Sequence, residues 1–255
     1  NFQWNPLVSV DNHAENLIAG DYYVTITDGN ACTYTSVYYV GQPLIPLTGG
    51  FTQTAPVVCY GSDSAEGLLS FSGGTPPYSI LYISNGQTHQ VNNLSASPYT
   101  IENLYGGNLD ITVTDARGCS FEINQSINQP DEIISTITDI HHPECYGFTT
   151  GSFTVNASGG TGLLQYEYDM SGTLSFNSYI SNLPAGWHYV EITDQNACTR
   201  IDSVLLTEPS ELIASLPDSI WLNCFGDSNG ASSVTVTGGS PGYTVSWINQ
   251  SGNTV

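Results

Sequence analysis

Six cysteines recur in two alternating phrases, and their spacing is the clearest chemical signal in the chain. A phrase Cys-Tyr/Phe-Gly begins at Cys59, Cys145 and Cys224. A second phrase, Asp-x-x-x-Cys, ends at Cys32, Cys119 and Cys198. Catalytic thiols would not recur once per repeat, and the close cysteine pairs of a zinc site are absent from the sequence. The pattern therefore indicates structural disulfides and an oxidising compartment.

Three aspartates, Asp28, Asp115 and Asp194, open the second phrase. An aspartate in such a turn typically accepts hydrogen bonds from backbone amides two residues further on. A calcium site is the alternative, because carboxylates of neighbouring repeats could converge on one ion. Asp63 and Asp227, which follow the cysteine of the first phrase, would then supply further oxygen ligands. Calcium is thus the one cofactor that the sequence suggests.

Fixed offsets show that the two phrases belong to one repeat. Eleven residues separate Cys32, Cys119 and Cys198 from the next proline, and fourteen separate Cys59, Cys145 and Cys224 from a Gly-Gly pair. Self-similarity of this kind is the signature of repeat architectures. We predict four segments: the C-terminal half of one repeat at 1–43, complete repeats at 44–130 and 131–209, and the N-terminal half of another at 210–255.

Alternating segments rich in β-branched and aromatic residues position these phrases. Strands are predicted at 22–27, 67–71, 78–83, 109–114, 152–157, 164–168, 189–193, 233–237 and 243–248. About seven strands in 80–90 residues predict an all-β fold of tandem immunoglobulin-like or fibronectin-III-like β-sandwiches. The first cysteine phrase then lies in the turn between strands A and B, and the second in the turn between F and G. Short junctions favour an elongated rod.

Two disulfide patterns are open. Pairing within each repeat gives Cys59–Cys119 and Cys145–Cys198. The A–B and F–G turns, however, lie at opposite ends of such a sandwich, beyond the ~7 Å that a disulfide allows between Cα atoms. Cys59–Cys198, between neighbouring repeats, is the alternative. Cys32 and Cys224 are expected to have partners outside this segment.

The composition excludes several classes of function. The net charge is −21, with no lysine and only two arginines. Nucleic-acid binding is excluded, because contacts to phosphates need basic side chains. No segment has the roughly 18 apolar residues of a membrane span, so direct membrane insertion is not expected. The acidity indicates either salty, calcium-containing surroundings, as in a marine organism, or simple solubility. No nucleophile set, acid pair or phosphate loop stands out, so we predict no enzyme.

Several phrases together resemble the SprB-type repeat of very large surface adhesins of gliding and predatory Bacteroidota. They are C-[YF]-G, G-G-[TS]-P-x-Y, L-x-A-G-x-x-x-V-x-[IV]-T-D-x-x-x-C and a closing [QE]-P. The matching segments include residues 73–78, 238–243, 17–24 and 183–190. The resemblance covers the whole chain. Residues 160–163 lack the Pro-Tyr element, and residues 105–108 depart from the Ala-Gly element.

The resemblance implies type IX secretion, a cell-surface location, and a role in adhesion, gliding or prey capture. The expected partners are other copies of the chain in a multimeric fibre and target cell surfaces or glycans. Ser64, Ser203 and Ser219 match the Asp-Ser/Thr-aliphatic O-glycosylation motif of the phylum. A calcium-dependent glycan-binding module, with the insert at 84–108 as its candidate loop, and accessory repeats of a secreted enzyme are the alternatives.

Overall fold

The structure is a computed structural model that describes residues 1–216, 219–252 and 254, and the regular elements among them are β-strands. The chain divides into two compact units. The first comprises Asn1–Pro56 and Asp63–Asn128, and the second comprises Val57–Ser62 and Gln129–Val255. No helix in the described part of the chain is long and apolar enough to cross a membrane.

The first unit holds ten strands. They are β1 (Phe2–Asn5), β2 (Gly20–Thr27), β3 (Thr33–Val40), β4 (Thr48–Ala55), β5 (Ala65–Ser72), β6 (Tyr78–Ser84), β7 (Gln87–Leu94), β8 (Tyr99–Leu104), β9 (Gly107–Thr114) and β10 (Ser120–Ile127). The sheets have the orders β1-β2-β3, β4-β5-β8 and β10-β9-β6-β7, and the pairs are antiparallel. The last two sheets form one sandwich, in which β4, β5 and β8 are strands A, B and E, and β6, β7, β9 and β10 are strands C, C′, F and G.

Period-two alternation places the core of that sandwich. In β9, Leu109, Ile111 and Val113 are fully buried, whereas Asp110 between them faces solvent. Leu69 of β5 and Ile80 of β6 are also fully buried. Alternating side chains of a strand point to opposite faces, so each strand contributes one apolar face to the core.

The second unit repeats this plan. Its strands are β11 (Asp131–His141), β12 (Gly151–Gly160), β13 (Gln165–Tyr168), β14 (Tyr179–Leu183), β15 (Gly186–Thr193), β16 (Thr199–Leu206), β17 (Ile213–Ser215), β18 (Ser219–Ile220), β19 (Ala231–Ser232) and β20 (Thr235–Thr237). The sheets β11-β12-β14 and β13-β15-β16 form a sandwich around Phe153, Val155, Val190, Ile192 and Leu206. The corresponding strands A, B and E are β11, β12 and β14, and C, F and G are β13, β15 and β16. The all-β tandem-sandwich prediction is confirmed.

The strand predicted at 243–248 does not form, so that expectation is wrong. Only an isolated bridge joins Ile248 to Thr254. The equivalent strands β6 and β13 are held by β9 and β15, and the described residues after Ile248 include no such partner. The preceding pairs β17–β20 and β18–β19 do form. A strand without its sheet neighbour loses both its backbone hydrogen bonds and its buried face.

The Gly-Gly pairs have a steric cause. A Cβ on Gly73, Gly159 or Gly238 would lie 2.1, 1.9 or 1.8 Å from the carbonyl oxygen of Pro46, Glu132 or Glu211, at or just before the start of the strand that precedes each pair. Each of these glycines has a φ between 74° and 92°. A left-handed backbone in such close contact favours glycine over every other residue. The second glycine of each complete repeat, Gly74 or Gly160, lies directly against an aspartate carboxylate.

The insert at 84–108 is sheet rather than a long loop. It contains β7 and β8, which pair with β6 and β5. The Tyr82 and His89 rings stack across the β6–β7 pair with centroids 4.7 Å apart. The extra residues of this repeat therefore widen a sheet.

Candidate functional site: a disulfide that joins two kinds of turn

The F–G turns, Asp28–Cys32, Asp115–Cys119 and Asp194–Cys198, share one conformation. In each, the aspartate N–H donates to the cysteine carbonyl, at 2.9–3.0 Å. The residue before the cysteine, Ala31, Gly118 or Ala197, has a φ of 62–82°. One side-chain oxygen of the aspartate accepts N–H bonds from the second and fourth residues after it, at 2.8–2.9 Å. This is the Asx turn that the sequence predicted.

The second carboxylate oxygen connects the turn to the Gly-Gly loop. Asp115 Oδ2 accepts the N–H of Thr75 at 2.9 Å, and Asp194 Oδ2 accepts that of Thr161 at 2.7 Å. Thr161 in turn accepts the N–H of Gln195 at 3.0 Å through its carbonyl oxygen. Asp115 and Asp194 are buried, whereas Asp28 is exposed. Each buried carboxylate is therefore held by three backbone donors.

These hydrogen bonds also lower the pKa of the Asp115 carboxyl. Burial acts to raise the pKa of the Asp115 carboxyl, but the backbone N–H groups of Thr75, Cys119 and Arg117 hold it below its ordinary value, with help from the Arg117 charge. The N–H groups stabilise the ionised form because they donate hydrogen bonds to the carboxylate, and the pKa is lowered only in the fold because the turn holds them there.

The calcium alternative receives no geometric support from the described residues. No group of three or more histidine, cysteine, aspartate or glutamate side chains among them is placed to hold a metal ion. Asp63 and Asp227 are exposed, and Asp227 Oδ2 accepts the N–H of Cys224 at 2.9 Å within its own turn. Calcium binding stays a prediction of the sequence.

The A–B turns, Cys59–Ser62, Cys145–Phe148 and Cys224–Asp227, also repeat one conformation. The N–H of the fourth residue donates to the cysteine carbonyl at 3.0, 3.1 and 3.2 Å respectively. The glycine at the third position has a φ of 71–90° in each turn. The two phrases read from the sequence are therefore two turns, each built the same way three times.

Cys59 and Cys198 form a disulfide, with their Cα atoms 5.6 Å apart. The bond lies in the second unit and joins the turn between β4 and β5 to the turn between β15 and β16. This is the pairing between neighbouring repeats. The pairings Cys59–Cys119 and Cys145–Cys198 do not form; Cys119 and Cys145 are free and exposed, as are Cys32 and Cys224. The reason is that the Cys59 turn packs against the F–G turn of the following repeat, and not against the F–G turn of its own repeat.

Polar side chains that the sequence reasoning did not select support this disulfide. Asn196 donates through Nδ2 to the Val58 carbonyl at 3.1 Å. Gln129 accepts the N–H of Gly61 at 3.1 Å through Oε1. Gln129 precedes the junction proline, as do Gln42 and Glu208. The recurrence of Gln or Glu before this proline was the available signal.

The three predicted glycosylation serines differ in accessibility. Ser203 and Ser219 are exposed on β16 and β18, whereas Ser64 is half-buried beside β5. Glycosylation of the three serines stays a prediction of the sequence.

Comparison with solved structures gives distant similarities. A C-terminal fragment of intimin, solved with the intimin-binding domain of its translocated receptor, has a TM-score of 0.34 at 10% identity, over 67% of each chain. Three N-terminal domains of the Hoc capsid protein of bacteriophage RB49 give 0.33 at 11%, over 80% of this chain and 73% of that one. A tetra-tandem repeat from the extending region of a large adhesion protein gives 0.27 at 12%, over 88% and 72%.

Sequence comparison adds a family match over part of the chain. No curated protein has significant sequence similarity to it. Residues 222–252, however, match the SprB repeat. The matched segment contains the third A–B turn and the third Gly-Gly pair, which is two of the phrases that recur through the chain. The match therefore supports a SprB-type repeat in this protein.

Proposed function

We propose that this chain is a non-enzymatic structural segment of a large adhesin-like protein, located outside the cell or on its surface, whose sandwiches transmit tension between an anchor and a target. The observation that carries the proposal is the Cys59–Cys198 bond between repeated turns. A covalent link between successive repeats adds little to ligand binding, but it limits how far a pulled chain can extend.

The SprB match and the recurring turns support the finer assignment. On that basis the parent protein is a giant Bacteroidota adhesin, exported by type IX secretion and used for attachment, gliding or prey capture, in a marine setting that suits a charge of −21. At high ionic strength the mutual repulsion of these charges is screened within a few Å. Other copies in a fibre, and glycans on a target cell, are the partners we propose.

Force spectroscopy of the whole chain tests the tension role. The disulfide encloses a sequence separation of 139 residues, which corresponds to roughly 470 Å of extended chain. We expect the oxidised chain to be shorter by about that length at full extension than the reduced chain or the C59S variant. Equal extension of oxidised and reduced chains would refute the proposal.

A glycan array separates this role from the glycan-binding alternative. His89 of the insert stacks on Tyr82 of the preceding strand β6, and such an aromatic surface could bind a sugar ring. We expect any glycan binding of the wild type to be kept in the H89A variant. Binding lost in H89A, but kept in a variant of the exposed His13, would favour a ligand-binding module instead.

A further inference from the structure

The Cys145 turn is built as the Cys59 turn is, but it lacks a disulfide partner. In both turns the glycine N–H donates to the residue that precedes the junction proline: Gly61 to Gln129 at 3.1 Å and Gly147 to Glu208 at 2.7 Å. Cys145 is therefore held against the start of the next repeat, as Cys59 is. Cys145 is nevertheless exposed and free.

The hollows beside the two cysteines have equivalent linings, except that the one beside Cys145 lacks an F–G turn. The hollow beside the formed disulfide is lined by Cys59, Tyr60, the start of β11, Gly160 and the F–G turn that carries Cys198. The hollow beside Cys145 is lined by the equivalent residues Tyr146, Glu211, Leu212 and Gly239, without an F–G turn. Its volume is about 530 Å³, against about 350 Å³ at the disulfide.

The opposite half of the same arrangement occurs in the first unit. Cys119 ends an F–G turn with the conformation of the Cys198 turn. The hollow beside it is lined by Pro43, Leu47 and Gly74, which correspond to the junction residues of the second unit, and has a volume of about 480 Å³. No A–B turn lines it, and Cys119 is exposed and free.

We propose that these hollows are half-sites that bind the complementary turn of another repeat of the same type and close with a disulfide. The hollow at Cys145 takes an F–G turn, and the hollow at Cys119 takes an A–B turn. Among the cysteines of this chain, the pairs are Cys145 with Cys32 and Cys224 with Cys119. The inference rests on the proposed function, because it requires repeats to follow one another.

The pairing follows from which strands share a sandwich. The Cys59 turn is held by Gln129, which lies just before β11. Cys59 bonds the F–G turn of the repeat that begins at β11. By the same rule Cys145 bonds the F–G turn of the repeat that begins at 210. Residues 210–255 hold the A–B pair β17–β20, and residues 1–43 hold the sheet β1-β2-β3 with an F–G turn. The two segments together supply one repeat.

The Cys32 turn matches the occupied site closely. Asn30 holds the position of Asn196, whose side chain bonds the carbonyl that precedes Cys59. Ala31 and Ala197 have φ values of 63° and 62°. Asn30 can therefore make the same bond to the Glu144 carbonyl, which precedes Cys145. Arg117 stands at this position in the Cys119 turn, so the second pair forms without that bond.

Each bond forms by thiol–disulfide exchange with a small-molecule disulfide such as oxidised glutathione. One cysteine thiolate attacks the oxidant, which releases one glutathione thiolate and leaves a mixed disulfide. The second cysteine thiolate displaces the second glutathione. Two cysteine thiols are oxidised, one glutathione disulfide is reduced to two thiols, and atoms and electrons balance.

Two full copies of the chain joined in one polypeptide test the proposal. The tandem chain is oxidised in a glutathione buffer, digested without reduction and mapped by mass spectrometry. We expect Cys59–Cys198 in each copy, and Cys145 and Cys224 of the first copy bonded to Cys32 and Cys119 of the second. Four free thiols then remain, instead of the eight left by the two Cys59–Cys198 bonds alone.

The Cys59–Cys198 bond is the internal control for folding. If it forms while Cys145 and Cys119 stay free, or if A–B cysteines pair with one another, the proposal is overturned. If it does not form, the template for the proposal is lost and the proposal falls with it. The C145S variant should free only Cys32 of the second copy and leave Cys224–Cys119 intact. These outcomes do not depend on the force experiment, which concerns Cys59–Cys198 alone.

Discussion

Replacing Asp194 tests whether the F–G turn depends on its carboxylate. In D194A the N–H groups of Asn196, Cys198 and Thr161 lose their acceptor. Asn196 is exposed, so its N–H can bind water, whereas Cys198 is buried and Thr161 is half-buried. A hydrogen bond to a charged group contributes about 1.5–3 kcal/mol net. Two such bonds are lost without replacement by water, so we expect D194A to lower the free energy of unfolding of the second sandwich by about 3–6 kcal/mol.

The asparagine variant separates the two oxygens of that carboxylate. D194N keeps an acceptor for Asn196 and Cys198, but its amide group would face the N–H of Thr161. We expect a loss of about 1.5–3 kcal/mol, since one hydrogen bond to the charged group is lost. The order of stability is then wild type, D194N, D194A. A calcium role predicts a different result: added calcium would stabilise the wild type, and D194N would lose that effect in full.

Hydrogen exchange measured by mass spectrometry locates the loss. A change of 3 kcal/mol accelerates exchange through global opening on the order of a hundredfold, and it should appear in β15 and β16 but not in β9 and β10. D28A is the matched control, because Asp28 is exposed and its carboxylate accepts only the two bonds within its turn among those of the described residues. A D194A protein whose β15 and β16 exchange within threefold of the wild-type rate would refute the reasoning.

The disulfide, the Gly-Gly loop and the Asp115 carboxylate can each be tested by substitution. C59S should lower the free energy of unfolding by about 2–4 kcal/mol, which is less than the roughly 5 kcal/mol that loop-closure entropy gives for a separation of 139 residues. Urea unfolding of the wild type and C59S measures this difference, and an unchanged midpoint would contradict the prediction. G159A should lower the free energy of unfolding by about 3 kcal/mol or more, because its Cβ would meet the Glu132 carbonyl at 1.9 Å. The control G172A, where a Cβ would meet open space at a φ of 71°, should lower it by about 1 kcal/mol. Equal losses in the two variants would argue against the clash. The fold lowers the pKa of Asp115 from 3.8, so the stability that its carboxylate contributes is fully present above about pH 4 and is lost as the pH falls through the folded pKa. Acid unfolding of β9 and β10 should therefore depend less steeply on pH in D115N than in the wild type. Parallel unfolding curves for the two proteins would rule this out.

The sequence by itself determined the fold class, the positions of most strands and the identity of the two turns. The reason is that these depend on local chemistry. Alternation in a segment such as 109–114 fixes which face is buried, and an aspartate four residues before a cysteine can bond the amides of its own turn wherever the turn lies. Fixed offsets between the phrases then marked the repeat without any tertiary information.

Only the tertiary structure decided which turns meet. Cys59 stands 60 residues before Cys119 and 139 before Cys198, and neither spacing excludes a bond. The choice depends on the packing of Val57–Ser62 within the second unit, a long-range contact that local patterns do not encode. The same holds for the strand expected at 243–248, whose residues favour a strand but whose pairing needs a neighbour. Local propensity proposes an element, and the hydrogen bonds and buried area supplied by its neighbours decide whether it forms.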